Sequence, residues 1–331
     1  MLLLLCGFIS VFFSADKELA IIGSHRLDGF ISYIIYAACY IGTRMLKNSQ
    51  KELGIIRFLS IVTTSLCMDY FINGSVTSIF FNQNHFGYLL TLSSMLLCGL
   101  YVFEQKKYLK IIYIVMFCIN TYTLININTF GCYLAVLLGL SFFPIFMIFS
   151  NKNKKIILQT IIVLGLFIAI SIISDYYTNI TRNNFTELSN DIIKITTNAS
   201  DAQYAGSLRV RLWKHAFKYI KRRPFFGYGP EGTYYSWIYN DDMAFDRPHN
   251  EYIQCALFMG IPAALFYITG LILLFIHCMK NRIKLTNHKI IAGIAVFSYC
   301  ISAFFGNTMF YTTPYFFMML GMISNPLLEK K

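Results

Sequence analysis

The sequence predicts an all-α polytopic membrane protein of about ten transmembrane helices, with one large extracytoplasmic loop between the seventh and the eighth. Three observations carry that expectation. Of 331 residues, 56% are hydrophobic and only 13% charged, against roughly 25% charged in a soluble domain. Ten apolar stretches recur, most of them near the roughly 17–25 residues that a helix needs to cross a bilayer. Clusters of Lys and Arg occupy every second connection between them, the mark of cytoplasmic loops.

The stretches are 1–14, 29–46, 55–72, 86–103, 110–126, 130–149, 156–174, 251–278, 289–306 and 309–326. The first is short for a span. It lacks a basic start, and Ser14-Ala15-Asp16 is a weak cleavage site, so it reads as a membrane helix rather than a signal peptide. The first two basic clusters are Arg44, Lys47, Lys51 and Arg57, then Lys106, Lys107 and Lys110. Lys152, Lys154 and Lys155 follow, then Lys280, Arg282, Lys284 and Lys289, with Lys330 and Lys331 at the end. The alternate connections 73–85, 127–129 and 307–313 carry no Lys or Arg. Both termini are therefore expected in the cytoplasm and the 175–250 loop outside, since long loops translocate largely regardless of charge. The whole chain, 1–331, reads as a single integral membrane domain. The net charge of +12 then reports topology and not a nucleic-acid footprint. All nine cysteines lie in apolar stretches with no CxxC pair, so they read as small buried hydrophobes rather than disulfides or a zinc site.

The 175–250 loop is too long for a bare connector and holds both tryptophans, Trp213 and Trp237. From Leu208 to Arg222 the period is that of an amphipathic helix. Leu208, Leu212, Trp213, Ala216, Phe217, Tyr219 and Ile220 share one side. Arg211, Lys214, His215, Lys218, Lys221 and Arg222 share the other, and Pro224 ends the run. The basic side suits phosphates, and the apolar side suits acyl chains or protein. Arg209 falls inside the apolar arc, where an unpaired charge is costly. Two readings stay open. It snorkels to water or a nearby acid, or it points into a cavity and binds an anionic group.

The loop ends at Arg247-Pro248-His249-Asn250-Glu251. Pro248 sets an extended approach and Asn250 reads as an N-cap. The positive end of the following helix favours a neutral imidazole at His249, the form a general base needs, and it attracts anions. Arg247 adds a fixed charge suited to phosphate oxygens. A second polar cluster, Asn82-Gln83-Asn84-His85, enters the stretch 86–103. It reads as helix caps or as partners for sugar hydroxyls. Asn126, Asn128 and Asn307 also fall at outer ends and suggest a polar vestibule. Asp241-Asp242 is adjacent rather than spaced and reads as a solvated turn, so no metal-ligand cluster is expected in the loop.

Three motifs occur in order: Arg209-Val-Arg-Leu-Trp213, then Arg223-Pro-Phe-Phe-Gly-Tyr-Gly229, then His249-Asn-Glu-Tyr-Ile-Gln254 followed by Gly260-Ile-Pro. Together they resemble the O-antigen ligase and polymerase superfamily of bacterial membrane glycosyltransferases. Phe81-Asn82-Gln-Asn84-His-Phe86-Gly87 is similar to that family's Asn-x-Asn segment. The chain departs where the family often has Ser-Arg-Gly, since Thr129-Phe130-Gly131 lacks the arginine. The chain is also shorter than many members. The resemblance implies a polyprenyl-pyrophosphate-linked glycan as donor and a glycan acceptor. The reaction would take place at the outer face of the bacterial cytoplasmic membrane, without metal or cofactor. His249 would activate the acceptor hydroxyl. Arg209, with Arg211 or Arg247, would hold the pyrophosphate, and Asn250 and Asn84 would orient sugars or the histidine. The lipid bilayer and other polysaccharide-assembly proteins are the implied partners. Polymerisation and ligation onto a terminal acceptor such as lipid A-core share this chemistry. The missing arginine and a Lys-, Asn- and Ile-rich composition lean to polymerase. The alternative from another class is a small-anion transporter, which would place its ionisable groups near the bilayer midplane.

Overall fold

The computed structural model describes residues 2–24, 26–80, 82–197, 199, 201–234 and 246–326. Every regular element among them is helical. In chain order these are α1 (Leu2–Phe12), α2 (Lys17–Ile22), α3 (Phe30–Arg44), α4 (Ser49–Asn73), α5 (Gln83–Phe103), α6 (Lys107–Asn126) and α7 (Phe130–Phe149). There follow α8 (Lys154–Thr178), α9 (Ile180–Thr196), α10 (Arg209–Arg222), α11 (Glu251–Met259), α12 (Ile261–Lys280), α13 (Asn287–Ser302) and α14 (Thr313–Ile323).

Among the described residues, seven segments are long and apolar enough to cross a membrane: α4, α5, α6, α7, α8, α12 and the run 287–305 that begins with α13. A multi-pass membrane protein is thus what the helices describe. α1 and α14 are apolar but only 11 residues each, about half a bilayer at 1.5 Å per residue. The expected span 251–278 is two helices. α11 stops at Met259, Gly260 turns the chain with φ 90°, and α12 restarts at Ile261. Residues 180–196, expected as the loop-like opening of the long loop, form α9. Trp237 and Asp241-Asp242 lie outside the described residues.

The chain divides into two compact units. The second comprises 39–184, 277–302 and 315–331. Its centre is α5, whose spanning window is 89% buried and which packs against α13, α6, α7, α4 and α8. Small residues permit that density. A Cβ on Gly99 would lie 2.7 Å from Ile291 Cγ1, so the side chain of α13 occupies the space glycine leaves. One buried polar cluster inside the unit joins three helices, α4, α5 and α6. Asn120 donates to Ser93 (2.9 Å) and accepts from Cys67 (3.3 Å). Lys289, read from sequence as part of a cytoplasmic charge cluster, is buried and donates to the Asn325 carbonyl at 2.6 Å. α8 is the opposite case, with 22% of its window buried. Ile172 and Ile173 on it are exposed, which in a spanning helix means a lipid-facing side.

The first unit comprises 1–38, 185–276 and 303–314. Here the turn 223–229 is fastened to the end of α11. Tyr228 N–H donates to Leu257 O (3.2 Å), Gly229 N–H to Phe258 O (2.8 Å) and Ile261 N–H to Pro224 O (2.7 Å). Two glycines make the approach possible. Gly227 (φ 63°) would drive a Cβ into the Phe258 carbonyl, and Gly260 (φ 90°) would drive one into that of Phe225. The glycines of this motif therefore serve backbone packing. Gly260→Ala is expected to lower unfolding stability by about 2 kcal/mol or more, because left-handed strain adds to a backbone clash. Thermal unfolding of the purified protein in detergent measures it.

Candidate functional site

The site is assembled in the first unit from the start of α10, residues 246–250 and residues 303–308. α10 buries Leu212, Ala216, Tyr219 and Ile220 and has α11 as its main neighbour. Its apolar side is therefore taken up by protein. Phe217, expected on that side, is exposed. Arg211, Lys214, Lys218, Lys221 and Arg222 are exposed on the other side. Arg211 thus shares a helix with Arg209 but faces away from it.

Arg209 opens α10 after three consecutive left-handed residues, Gly206, Ser207 and Leu208. This turn carries the Gly206 carbonyl back over the arginine. Nη1 donates to Gly206 O (3.0 Å) and Nη2 to Phe305 O (3.3 Å). The Phe305 ring lies 6.0 Å from the guanidinium carbon. Nε is buried with no hydrogen-bond partner among the described residues. No carboxylate among the described residues bridges Arg209, so its position inside the apolar arc is held by two carbonyls and one ring. One turn further, Trp213 Nε1 donates to Pro248 O at 3.0 Å. That bond ties α10 to the peptide just before His249.

Arg247 is 1% exposed, and each of its three guanidinium nitrogens meets a carboxylate. Nε donates to Asp246 Oδ2 (3.1 Å), Nη1 to Asp28 Oδ2 (3.1 Å) and Nη2 to Glu231 Oε1. Arg26, at 23% exposure, bridges Asp246 at 3.2 Å. Asp28 also accepts from Tyr36 (2.9 Å), Thr308 (2.6 Å) and Gln254 (3.3 Å). Glu231 takes the Ser24 N–H as well. Three carboxylates face two guanidiniums, one negative charge in excess. Burial lifts the Asp28 carboxyl above its ordinary range, with Glu231 adding to the rise against the pull of Arg247. For Asp246 burial acts the same way, but Arg247 and Arg26 outweigh it and hold that carboxyl low. The geometry gives Arg247 no group to offer a phosphate. What the sequence read as a ligand contact is the hub of a buried ion cluster.

His249 has φ 50°, a left-handed conformation that histidine adopts more readily than most residues. Its Nδ1 lies 3.3 Å from Asn307 Nδ2. Burial, followed by the charge of Arg209, pushes its pKa down to about 3. The imidazole is thus neutral at neutral pH, as the sequence led one to expect, but burial and an arginine are the main causes. Asn250 caps α11, with Oδ1 accepting from Tyr252 N (3.1 Å) and Ile253 N (3.0 Å), and its Nδ2 donates to Phe304 O (3.3 Å). One short segment therefore holds the whole set. Phe304 binds Asn250, Phe305 binds Arg209, and Asn307 meets His249. Thr308 meets Asp28 beneath Arg247.

Asn84 belongs to the second unit, in the first turn of α5, where its backbone N–H donates to the N-cap Asn82 at 2.8 Å. Sequence reasoning missed Arg26, Asp28, Glu231 and Thr308 and gave Asn307 no specific task. The available signal was a lone Asp28 against the start of an apolar stretch, and a Gly29 beside it.

No curated protein matches the chain. Residues 115–268 match the family described as O-Antigen ligase. The matched segment contains Arg209, Trp213, Arg247, His249 and Asn250.

Proposed function

We propose that the chain, whose residues 115–268 match the family described as O-Antigen ligase, is a membrane glycosyltransferase of that superfamily and moves a glycan from a polyprenyl-pyrophosphate carrier to an acceptor hydroxyl. The reaction takes place at the outer face of the bacterial cytoplasmic membrane. The supporting observation is that a neutral imidazole and a guanidinium are fastened by the same four residues, 304–307.

In this reading His249 takes the proton of the acceptor hydroxyl, whose oxygen bonds to the anomeric carbon. The bond from that carbon to the pyrophosphate oxygen breaks, and its electron pair leaves with the phosphate. Arg209, set beside the base and with Nε uncommitted, offsets the charge that develops there. Arg26, partly exposed at the edge of the ion cluster, supplies a second cation in place of Arg247. Arg247 acts through the backbone, by fixing residues 246–248. Asn250 acts likewise as the cap that sets the start of α11. The exposed row Arg211, Lys214, Lys218 and Lys221 meets lipid and carrier phosphates, and Asn84 remains a proposed sugar contact. Chain extension, giving a polymerase, is the preferred outcome. A transporter would carry its ionisable groups inside its spans, and Arg209 and His249 lie outside the seven candidate spans.

The test is transfer by the purified protein in vesicles, from a polyprenyl-pyrophosphate-linked glycan, with a chelator present. Transfer is expected to persist with the chelator and to fall on the order of 100-fold or more in Arg209→Gln, the loss typical of one charge-stabilising donor. An inert donor, or a fully active Arg209→Gln, overturns the reading.

A further inference from the structure

We propose that Asn307 is a positioning residue that decides which nitrogen of His249 carries the proton. This rests on the reading of His249 as the general base and deepens it. Asn307 is 5% exposed, and its Nδ2 lies 3.3 Å from His249 Nδ1. Its Oδ1 is buried and has no hydrogen bond among the described residues. The amide thus has two faces for one ring nitrogen, exchanged by a half-turn about its last torsion.

The two faces dictate opposite chemistry. With Nδ2 toward the ring, the amide donates to the Nδ1 lone pair, and a neutral ring must then carry its proton on Nε2. That tautomer has no lone pair at Nε2 to accept with. With Oδ1 toward the ring, the carbonyl accepts Nδ1–H, and Nε2 is the base. In this state Nε2 takes the acceptor's proton as the oxygen–carbon bond forms and the carbon–phosphate-oxygen bond breaks. The imidazolium then holds both protons, Nδ1–H still on Oδ1, until Nε2 gives its proton to the departing phosphate or to water.

An amide fits this task better than a carboxylate. Among the described residues the charged groups that act most on the ring are Arg209, Asp246, Arg26 and Arg247, and burial together with Arg209 keeps it neutral at rest. A carboxylate at 307 would draw a proton onto the ring and remove the base before substrate arrives. Asn307 also follows directly on the carbonyls that hold Asn250 and Arg209, so the ring is registered against the cation.

The experiment compares wild type, Asn307→Asp, Asn307→Leu and His249→Ala, with kcat and KM for the lipid-linked donor measured from about pH 5 to 9. Wild type is expected to show no acid limb near 6.5, the ordinary histidine range. In Asn307→Asp the carboxylate keeps Nδ1–H in place but raises the ring's pKa, so an acid limb enters the range while the alkaline plateau is retained. In Asn307→Leu kcat falls on the order of 10- to 100-fold, the usual cost of losing an orienting partner, with little change in KM. A wild-type pH profile in Asn307→Asp, or a wild-type kcat in Asn307→Leu, overturns the proposal. If the leucine variant does not fold, the aspartate profile decides alone. A fully active His249→Ala instead overturns the base reading, which separates the two failures.

Discussion

Alanine at position 249 is expected to abolish glycan transfer while the protein still inserts and folds. Removing a general base costs about 10²- to 10⁴-fold in rate, and among the described residues no second imidazole meets residues 304–307 to replace it. The backbone complicates the control. With φ 50° at His249, alanine bears left-handed strain of about 1–2 kcal/mol. His249→Asn is the cleaner companion, because asparagine tolerates that conformation but is not basic. Both variants should elute from size exclusion as wild type does and fail in the transfer assay. A rate within tenfold of wild type in both would end the assignment of His249 as base. The depressed pKa adds a second signature, one of stability. The folded ring resists protonation down to about 3, whereas the unfolded ring protonates near 6.5. Between those values the unfolded state binds more protons, so this residue's contribution to stability falls as pH drops through that window.

The second large effect is structural. Arg247→Met leaves Asp28, Glu231 and Asp246 facing one another with only Arg26 nearby. Breaking a buried ion pair by removing one partner costs about 3–5 kcal/mol, and here Asp28 and Glu231 lose their cation while Asp246 keeps only Arg26. Arg247→Lys should rescue poorly, since one ammonium cannot match a planar fork that meets three acids at once. The double variant Arg247→Met/Glu231→Gln should recover part of the loss by removing one of the stranded charges. Thermal unfolding in detergent at constant ionic strength reads all three. A shift in melting temperature no larger than that of a surface lysine variant would show that the cluster does not support the fold. The defect should also shrink at acidic pH, where the stranded carboxylates protonate.

Much of this was legible in the sequence because it is local. The α10 period, the cap at Asn250 and the polar junction before α11 depend on neighbours within a turn or two. The membrane class follows from composition, and the helical turn at Arg209 from the wheel. What the sequence hid is long-range. The fate of Arg247 is decided by Asp28, 219 positions away, and no periodicity announces such a partner. The resemblance pairs Arg211 with Arg209 at the pyrophosphate, although the wheel already sets them on different sides of α10, since a step of two residues on a helix turns a side chain by about 200°. The break at Gly260 was missed because an apolar run reads the same whether continuous or hinged. Only the approach of the Phe225 carbonyl explains why a glycine stands there.

The first unit is stitched from three stretches that are far apart in the chain, 1–38, 185–276 and 303–314. Thr308 bonds an aspartate 280 positions earlier, so the anionic core around Arg247 stays incomplete until residue 308 has been synthesised. The second unit waits as well, since α5 in its first stretch packs against α13 in its second. Neither unit can therefore close on its first stretch alone, and each gains its full set of neighbours only after its third has emerged.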